Sequence, residues 1–169
     1  MDITKKEVSE YLYQQAIRFL SYRARSEKEI SDFLYKKSKN KTLQLTKLSS
    51  EEYIENIIRQ LKKENLVNNN EFVDWWIEQR LAFNPKGKKV LRLELLQKGV
   101  DQQLVEEKIN TISPEHFKKA AKKILCNKIK LYSHLKGRKL RDKLIKHLLR
   151  RGFDYQSIKV LVDEFLEKR

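Results

Sequence analysis

The chain is poor in everything that breaks or staples a fold. Its 169 residues include 4 Gly, 2 Pro, 1 Cys and 1 Met. A lone cysteine, Cys126, excludes an intrachain disulfide and agrees with a reducing, cytoplasmic setting. No apolar run approaches the roughly 18 residues that span a bilayer, and no secretory pattern opens the chain, so no membrane partner is expected. Catalytic signals are missing too. His116, His134 and His147 have no Cys or His at metal-ligand spacing, and there is no glycine-rich phosphate loop or nucleophile motif. No catalytic residue, metal or cofactor is therefore expected. Cys126 itself falls in a helical pattern and reads as a small buried hydrophobe.

Acidic residues are scarce in one place. Overall the chain carries 38 Lys and Arg against 23 Asp and Glu, a formal charge of +15. Residues 1–50 are net +5, residues 51–112 net −1 and residues 113–169 net +11. Between 118 and 151 a single acid, Asp142, faces 14 basic residues. Such a stretch attracts a polyanion, whether nucleic acid or an acidic protein groove. What the chain has in plenty is Leu, Lys, Glu, Ile and Gln, good helix formers that argue for an all-α fold.

Helix starts are marked. Thr4-x-x-Glu7, Ser26-x-x-Glu29 and Ser49-x-x-Glu52 read as capping boxes. Ser113-Pro114-Glu115 places an N-cap before a first-turn proline, and Asp101 and Asp154 are N-cap candidates after Gly99 and Gly152. A unit then repeats. Ile30/Leu34, Leu91/Leu95 and Leu144/Leu148 are i,i+4 pairs, followed four residues on by Ser38, Gly99 and Gly152. Each is preceded by a helix ending in a basic residue, Arg23, Arg80 or Lys128. Each is followed by a helix with a hydrophobic staple: Leu48 with Tyr53, Val100 with Val105, Phe153 with Ile158. The unit is three helices, and it covers about 10–64, 69–112 and 114–168. The expected domains are 1–68, with a long lysine-containing loop "KKSKNKTLQLTKLS" as its candidate mobile segment, then 69–112 and the strongly basic 113–169. Periods of this length predict a helical-repeat array.

These residues carry a resemblance. "AIRFLSYRARSEKEISDFLYKK", "NNNEFVDWWIEQRLAFNPKGKKVLRLELLQKGVDQQLVEEKI" and "KLRDKLIKHLLRRGFDYQSIKVLVDEF" resemble the successive modules of the RecX family over residues 12–166. The ordered set Arg-x-x-Ser-x-x-Glu, Pro-Lys-Gly, Leu-x-x-Lys-Gly-Val and Leu-Arg-Arg-Gly-Phe is its fairly specific part. The resemblance implies three tandem three-helix modules in an elongated, curved array. It implies a non-enzymatic, monomeric regulator that lodges in the groove of the RecA–single-strand DNA filament. There it would damp filament extension, strand exchange and ATP hydrolysis, with single-strand and double-strand DNA as further partners. One departure is Asn68-Asn69-Asn70 in place of the acidic pair the family often carries before its central Phe. Asn keeps the capping role, while any charge-dependent role is put in doubt.

The candidate contact residues form two clusters at helix starts. Lys86, Lys88, Lys89 and Arg92 lie where free N–H groups and the helix dipole favour an anion. Lys136, Arg138, Lys139, Arg141 and Lys143, with Lys146, Arg150 and Arg151 further on, stand at the corresponding place in the third unit. Arg23 and Arg80 fall inside apolar helical arcs. Each either packs its stem on the core with its head on C-terminal carbonyls, or touches filament or phosphate directly. Trp75 projects away from the stripe of Trp76, as a packing residue between modules or as an exposed anchor. Tyr11, Tyr13, Tyr22 and Phe19 read as core or as base-stacking groups. Two other classes remain open beside the filament regulator: a basic helical DNA-binding module without a recombinase partner, and a scaffold for an acidic protein.

Overall fold

The structure, a computed structural model, describes residues 5–39 and 47–167. Among the described residues there are nine α-helices and no strand. They are α1 (Lys5–Leu20), α2 (Glu27–Ser38), α3 (Lys47–Lys63), α4 (Asn69–Phe83), α5 (Lys88–Gln97), α6 (Gln102–Thr111), α7 (Pro114–Leu131), α8 (Gly137–Arg150) and α9 (Tyr155–Glu167). The all-α fold of three-helix groups is what composition and repeat predict.

Most helix starts lie where the sequence marks them. The Ser26 hydroxyl accepts the Glu29 N–H at 3.1 Å, and the Glu29 carboxylate reaches back to the Ser26 N–H at 3.4 Å. Asp101 accepts from Gln103 and Leu104, and Asp154 from Ser157. Asn68 caps α4 through the Asn70 N–H at 2.9 Å, so the asparagines keep the structural role. Two positions differ. Helix α3 opens at Lys47, which puts Ser49 inside the helix and not at its cap. Ser113 precedes Pro114 as expected, but its hydroxyl meets His116 Nδ1 at 2.8 Å and no backbone N–H. Thr4 and loop residues 40–46 lie outside the described residues, as does the side chain of Leu48.

The helices pack as two compact units. The first is Met1–Val73 with Lys98–Val100, and the second is Asp74–Gln97 with Asp101–Arg169. In the first, α1, α2 and α3 enclose Leu12, Ala16, Ile30, Leu34, Ile57 and Leu61, all essentially without exposure. Each such Leu or Ile contributes roughly 1.5–3 kcal/mol by leaving water. In the second, α5 packs on α6, and α7, α8 and α9 pack on one another around Leu125, Leu144, Leu148, Ile158 and Val162. Cys126 is exposed, contrary to expectation. At about 100° per residue it lies opposite Phe117 on α7, whose core face is taken by Ala121, Ile124 and Leu125.

A joint between a helix start and a glycine turn is built twice. In the second unit α8 closes with paired 5→2 and 6→1 bonds, Gly152 N–H to Leu149 O at 2.9 Å and Phe153 N–H to Leu148 O at 3.3 Å. The carbonyls beyond that turn then receive the start of α5. Gly87 N–H donates to Arg151 O at 2.8 Å, and Lys89 N–H to Gly152 O at 3.2 Å. The backbones come so close that a Cβ on Gly87 would lie 2.2 Å from Gly152 O. In the first unit the start of α2 meets the turn Lys98–Val100 in the same sense. The Ser26 hydroxyl donates to Lys98 O at 2.7 Å, and a Cβ on Gly99 would come within 2.6 Å of the Lys28 stem. Ser26 and Gly87 share one repeat slot, four residues before Ile30 and Leu91. In the third copy that slot is Leu140, inside α8 and buried. The first copy departs at its other end. Helix α2 closes on Lys39 in right-handed geometry, and the Ser38 hydroxyl donates to Tyr35 O at 2.9 Å.

Charge reinforces the first joint. The Glu29 carboxylate is gripped by Arg23 at 2.9 and 3.2 Å and by Lys98 Nζ at 2.5 Å. Burial pushes this carboxyl up, but the hydrogen bonds from Arg23 and Lys98 outweigh it and bring it from the ordinary 4.5 to about 2.

Two outcomes follow from the joints. Gly87→Ala should lower stability by about 2 kcal/mol or more in urea melts, because the new methyl meets backbone that cannot rotate away. The Glu29 contribution should be complete above pH 4.5 and should fade as pH drops toward 2, since the folded-state carboxyl holds its charge longer than the unfolded one. Urea midpoints measured from pH 2 to 7 should therefore slope less with pH in Glu29→Gln than in the parent chain, and lie lower at pH 7.

Candidate nucleic-acid interface

The candidate cations separate into two groups once their partners are known. The arginines are mostly engaged. Arg23 holds Glu29 and donates to Ala24 O at 2.8 Å. Arg80 reaches Glu94 at 2.7 Å and stacks over Trp76 at 4.3 Å. Arg92 forms a two-pronged pair with Glu106 on α6. Arg141 forms another with Asp163 on α9, at 2.5 and 2.9 Å. Arg151 donates to Asn84 Oδ1 at 2.6 Å. The planar guanidinium suits fork geometry, and the Arg80, Arg92 and Arg141 pairs each tie two helices. Hydrogen bonds from Arg92 and Arg141 hold Glu106 and Asp163 below the usual carboxylate range. The Arg23 and Arg80 side chains are both half-buried, but only Arg80 lies in the last turn of its helix, since α1 ends at Leu20 and leaves Arg23 in the connection beyond it. Their heads go chiefly to carboxylates of neighbouring helices rather than to the C-terminal carbonyls expected, although Arg23 takes one carbonyl as well.

Most of the lysines are differently placed. On α8, Lys139, Lys143, Lys146 and Arg150 recur at i, i+4, i+7 and i+11, and all four are exposed. At about 100° per residue they fall within roughly 60° of arc and run about 16 Å along the helix. The opposite arc carries Leu140, Leu144 and Leu148 into the core. Lys143 lies over the Tyr132 ring at 5.7 Å, and among the described residues none of the four has an acidic partner within salt-bridge distance. Arg138 stands off this line, 94% exposed, at 3.8 Å from Asp142. Lys136 is exposed at the N-cap. His147, on the same helix, is held below the usual imidazole range by burial first and then by Lys128, Arg151 and Arg150, so its charged form is disfavoured. The stripe is legible in the sequence as an i, i+4, i+7, i+11 series, once Arg141 is recognised as belonging to another face.

The cluster at the start of α5 is less open than expected. Two of the N–H groups that would favour an anion, those of Gly87 and Lys89, are taken by the carbonyls of Arg151 and Gly152. Lys86 and Lys88 are half-buried, Lys88 over the Phe117 ring at 5.5 Å, and Lys89 is exposed. Trp75 is half-buried, with its ring 6.1 Å from that of Trp76. The aromatic set near the N-terminus is dispersed. Phe19 stacks on Phe33 at 4.2 Å under Arg25, Tyr13 donates to Glu64, and Tyr22 is 82% exposed.

The model of the first three-helix domain of RecX matches residues 13–38, and that of the second matches residues 68–109. The chain belongs to the RecX family. The regulatory protein RecX of Oceanobacillus iheyensis is 32% identical over 162 residues, covering 96% of this chain and 56% of that protein. RecX of Streptococcus mutans is 33% identical over 150 residues, 88% of this chain and 53% of that protein. The chain thus spans about half the length of these curated relatives. The crystal structure of RecX from Lactobacillus salivarius aligns with a TM-score of 0.73 at 25% identity, over 94% of this chain and 97% of that one. A second RecX crystal structure, at 21% identity and a TM-score of 0.75, shares the fold. Among the described residues no helix is long and apolar enough to cross a membrane, and no cluster of His, Cys, Asp or Glu could hold a metal.

The sorting of cations has a measurable consequence. A protein that binds single-strand DNA through lysines loses about 0.7 log units of affinity per phosphate contact per decade of salt. If the α8 stripe is such a surface, Lys143→Gln with Lys146→Gln should flatten the slope by about 1.4. Arg92→Gln with Arg141→Gln should leave it unchanged while lowering the melting temperature.

Proposed function

We propose that this RecX-family chain is a regulator of the RecA recombinase that occupies the groove of the RecA–single-strand DNA filament and restrains filament extension, strand exchange and ATP hydrolysis. The observation that carries the reading is the unpaired cationic stripe of α8 on a chain of this family. A rigid helix presenting Lys139, Lys143, Lys146 and Arg150 at one-turn intervals matches a backbone of regularly spaced phosphates, and equally a row of carboxylates in a protein groove. The chain is proposed to act as three domains, 1–68, 69–112 and 113–169, with the last as the basic one. Contacts made by successive domains to successive protomers would add through effective concentration, so each can be weak. The chain itself contributes binding and no chemistry, and the ATPase belongs to the partner. A cytoplasmic monomer suits this role.

The competing reading, a basic module that binds free DNA, is favoured by the same stripe, since α8 could lie against a phosphate backbone without any recombinase. Co-sedimentation separates the two. The filament reading expects the chain to pellet with nucleotide-stabilised RecA–DNA filaments at salt that already abolishes binding to DNA alone. It also expects Lys139→Glu with Lys146→Glu to reduce both pelleting and inhibition of strand exchange. Unaltered strand exchange and filament growth at saturating protein and low salt would overturn it.

A further inference from the structure

The second unit carries an open cleft of about 690 Å³ to which α8 contributes no residue. Its walls come from the first turns of α5, the first half of α7 and the start of α9. Its floor is apolar: Phe117, Ala121, Ile158, Leu161 and Val160. The first four are buried, yet Val160 is 58% exposed, so an aliphatic side chain stands at the mouth largely open to water. Its rim is basic. Lys88, Lys89 and Lys118 border the opening, where Arg92 is already neutralised by Glu106. Two acids also line it. Asp154 is committed to capping α9 through the Ser157 N–H and hydroxyl, which leaves Glu115 as the remaining carboxylate. Lys118 has only a loose pair, Glu164 at 3.7 Å.

This pattern selects its ligand. A nucleic acid needs phosphate contacts along a groove or an exposed ring for stacking, and here Phe117 is 9% and Phe153 5% exposed. An apolar floor under an ammonium rim suits a side chain that is greasy in the middle of an acidic neighbourhood. The volume is that of a site for a few side chains. We propose that the cleft binds an acidic peptide segment of a partner protein, seating one bulky apolar side chain against Val160 and the Phe117–Leu161 floor, with its flanking carboxylates on Lys88 and Lys89. The peptide site is separate from the α8 stripe, and it does not rest on the filament reading.

The test is fluorescence anisotropy on the full chain at low salt, without DNA or RecA. The probe is a fluorescein-labelled dodecapeptide of Glu and Asp with Phe-Leu at its centre. A matched peptide has Ser-Ser in that place. Saturable binding of the Phe-Leu peptide is expected, weakened about tenfold or more by the Ser-Ser change and by Val160→Glu, as for a central apolar anchor. Val160 is exposed, so the variant should keep its helix content and melting temperature. Lys88→Gln with Lys89→Gln should weaken binding as well, whereas Lys143→Glu with Lys146→Glu should not. No binding at peptide concentrations up to about 1 mM would overturn the proposal, since a site this weak is worth no more than about 4 kcal/mol. Equal binding of both peptides, or binding indifferent to Val160→Glu, would overturn it too, because charge alone would then explain the result.

Discussion

Satisfying the backbone at helix ends is the constraint on which this molecule turns. An all-α chain with nine described helices has many N–H and C=O groups with no partner inside their own helix. Here two helix starts are completed by the turns that end other helices. Gly87 and Lys89 lend their N–H groups to Arg151 and Gly152, and Ser26 lends its hydroxyl to Lys98. Each such bond is worth about 1 kcal/mol net, but leaving the same groups buried and unmet would cost more. The same kind of joint is built in two of the three copies, and in the third its slot is filled by Leu140 inside α8.

The cations divide their labour as well. Arginines sit near the places where helices meet: Arg80, Arg92 and Arg141 reach carboxylates on the next helix, Glu94, Glu106 and Asp163, while Arg23, in the connection after α1, holds Glu29 at the start of α2. Many of the lysines sit on outward arcs, Lys139, Lys143 and Lys146 among them. The chemistry suits each task, since guanidinium loses less on being fixed and ammonium stays well hydrated until a partner arrives. A count of positive charge cannot make this distinction, and the pairing does.

Much of the architecture is legible in residue order. The caps at Ser26, Asp101 and Asp154 and the glycine turns at 99 and 152 are local signals, and the helices end and begin there. The misreadings are also local in origin. Ser49-x-x-Glu52 has the letters of a capping box, but α3 starts two residues earlier. Cys126 is apolar in composition but points away from its helix's core arc. Gly87 reads as punctuation before a helix, whereas its reason is a backbone 65 residues downstream that approaches too closely for a side chain. Likewise, nothing in the order of residues tells that Arg141 meets Asp163, because that pairing exists only once α8 and α9 have packed. Site chemistry is therefore less legible than fold: it depends on what remains after such pairs have formed.

Because the second joint is made almost wholly of main-chain atoms, it asks little of the side chains around it. It needs a glycine where two backbones touch and a turn that presents its carbonyls outward. Substitutions on the solvent faces of these helices therefore leave the joint's own hydrogen bonds untouched. The exposed arc of α8 is thus free to change its charge without cost to that joint.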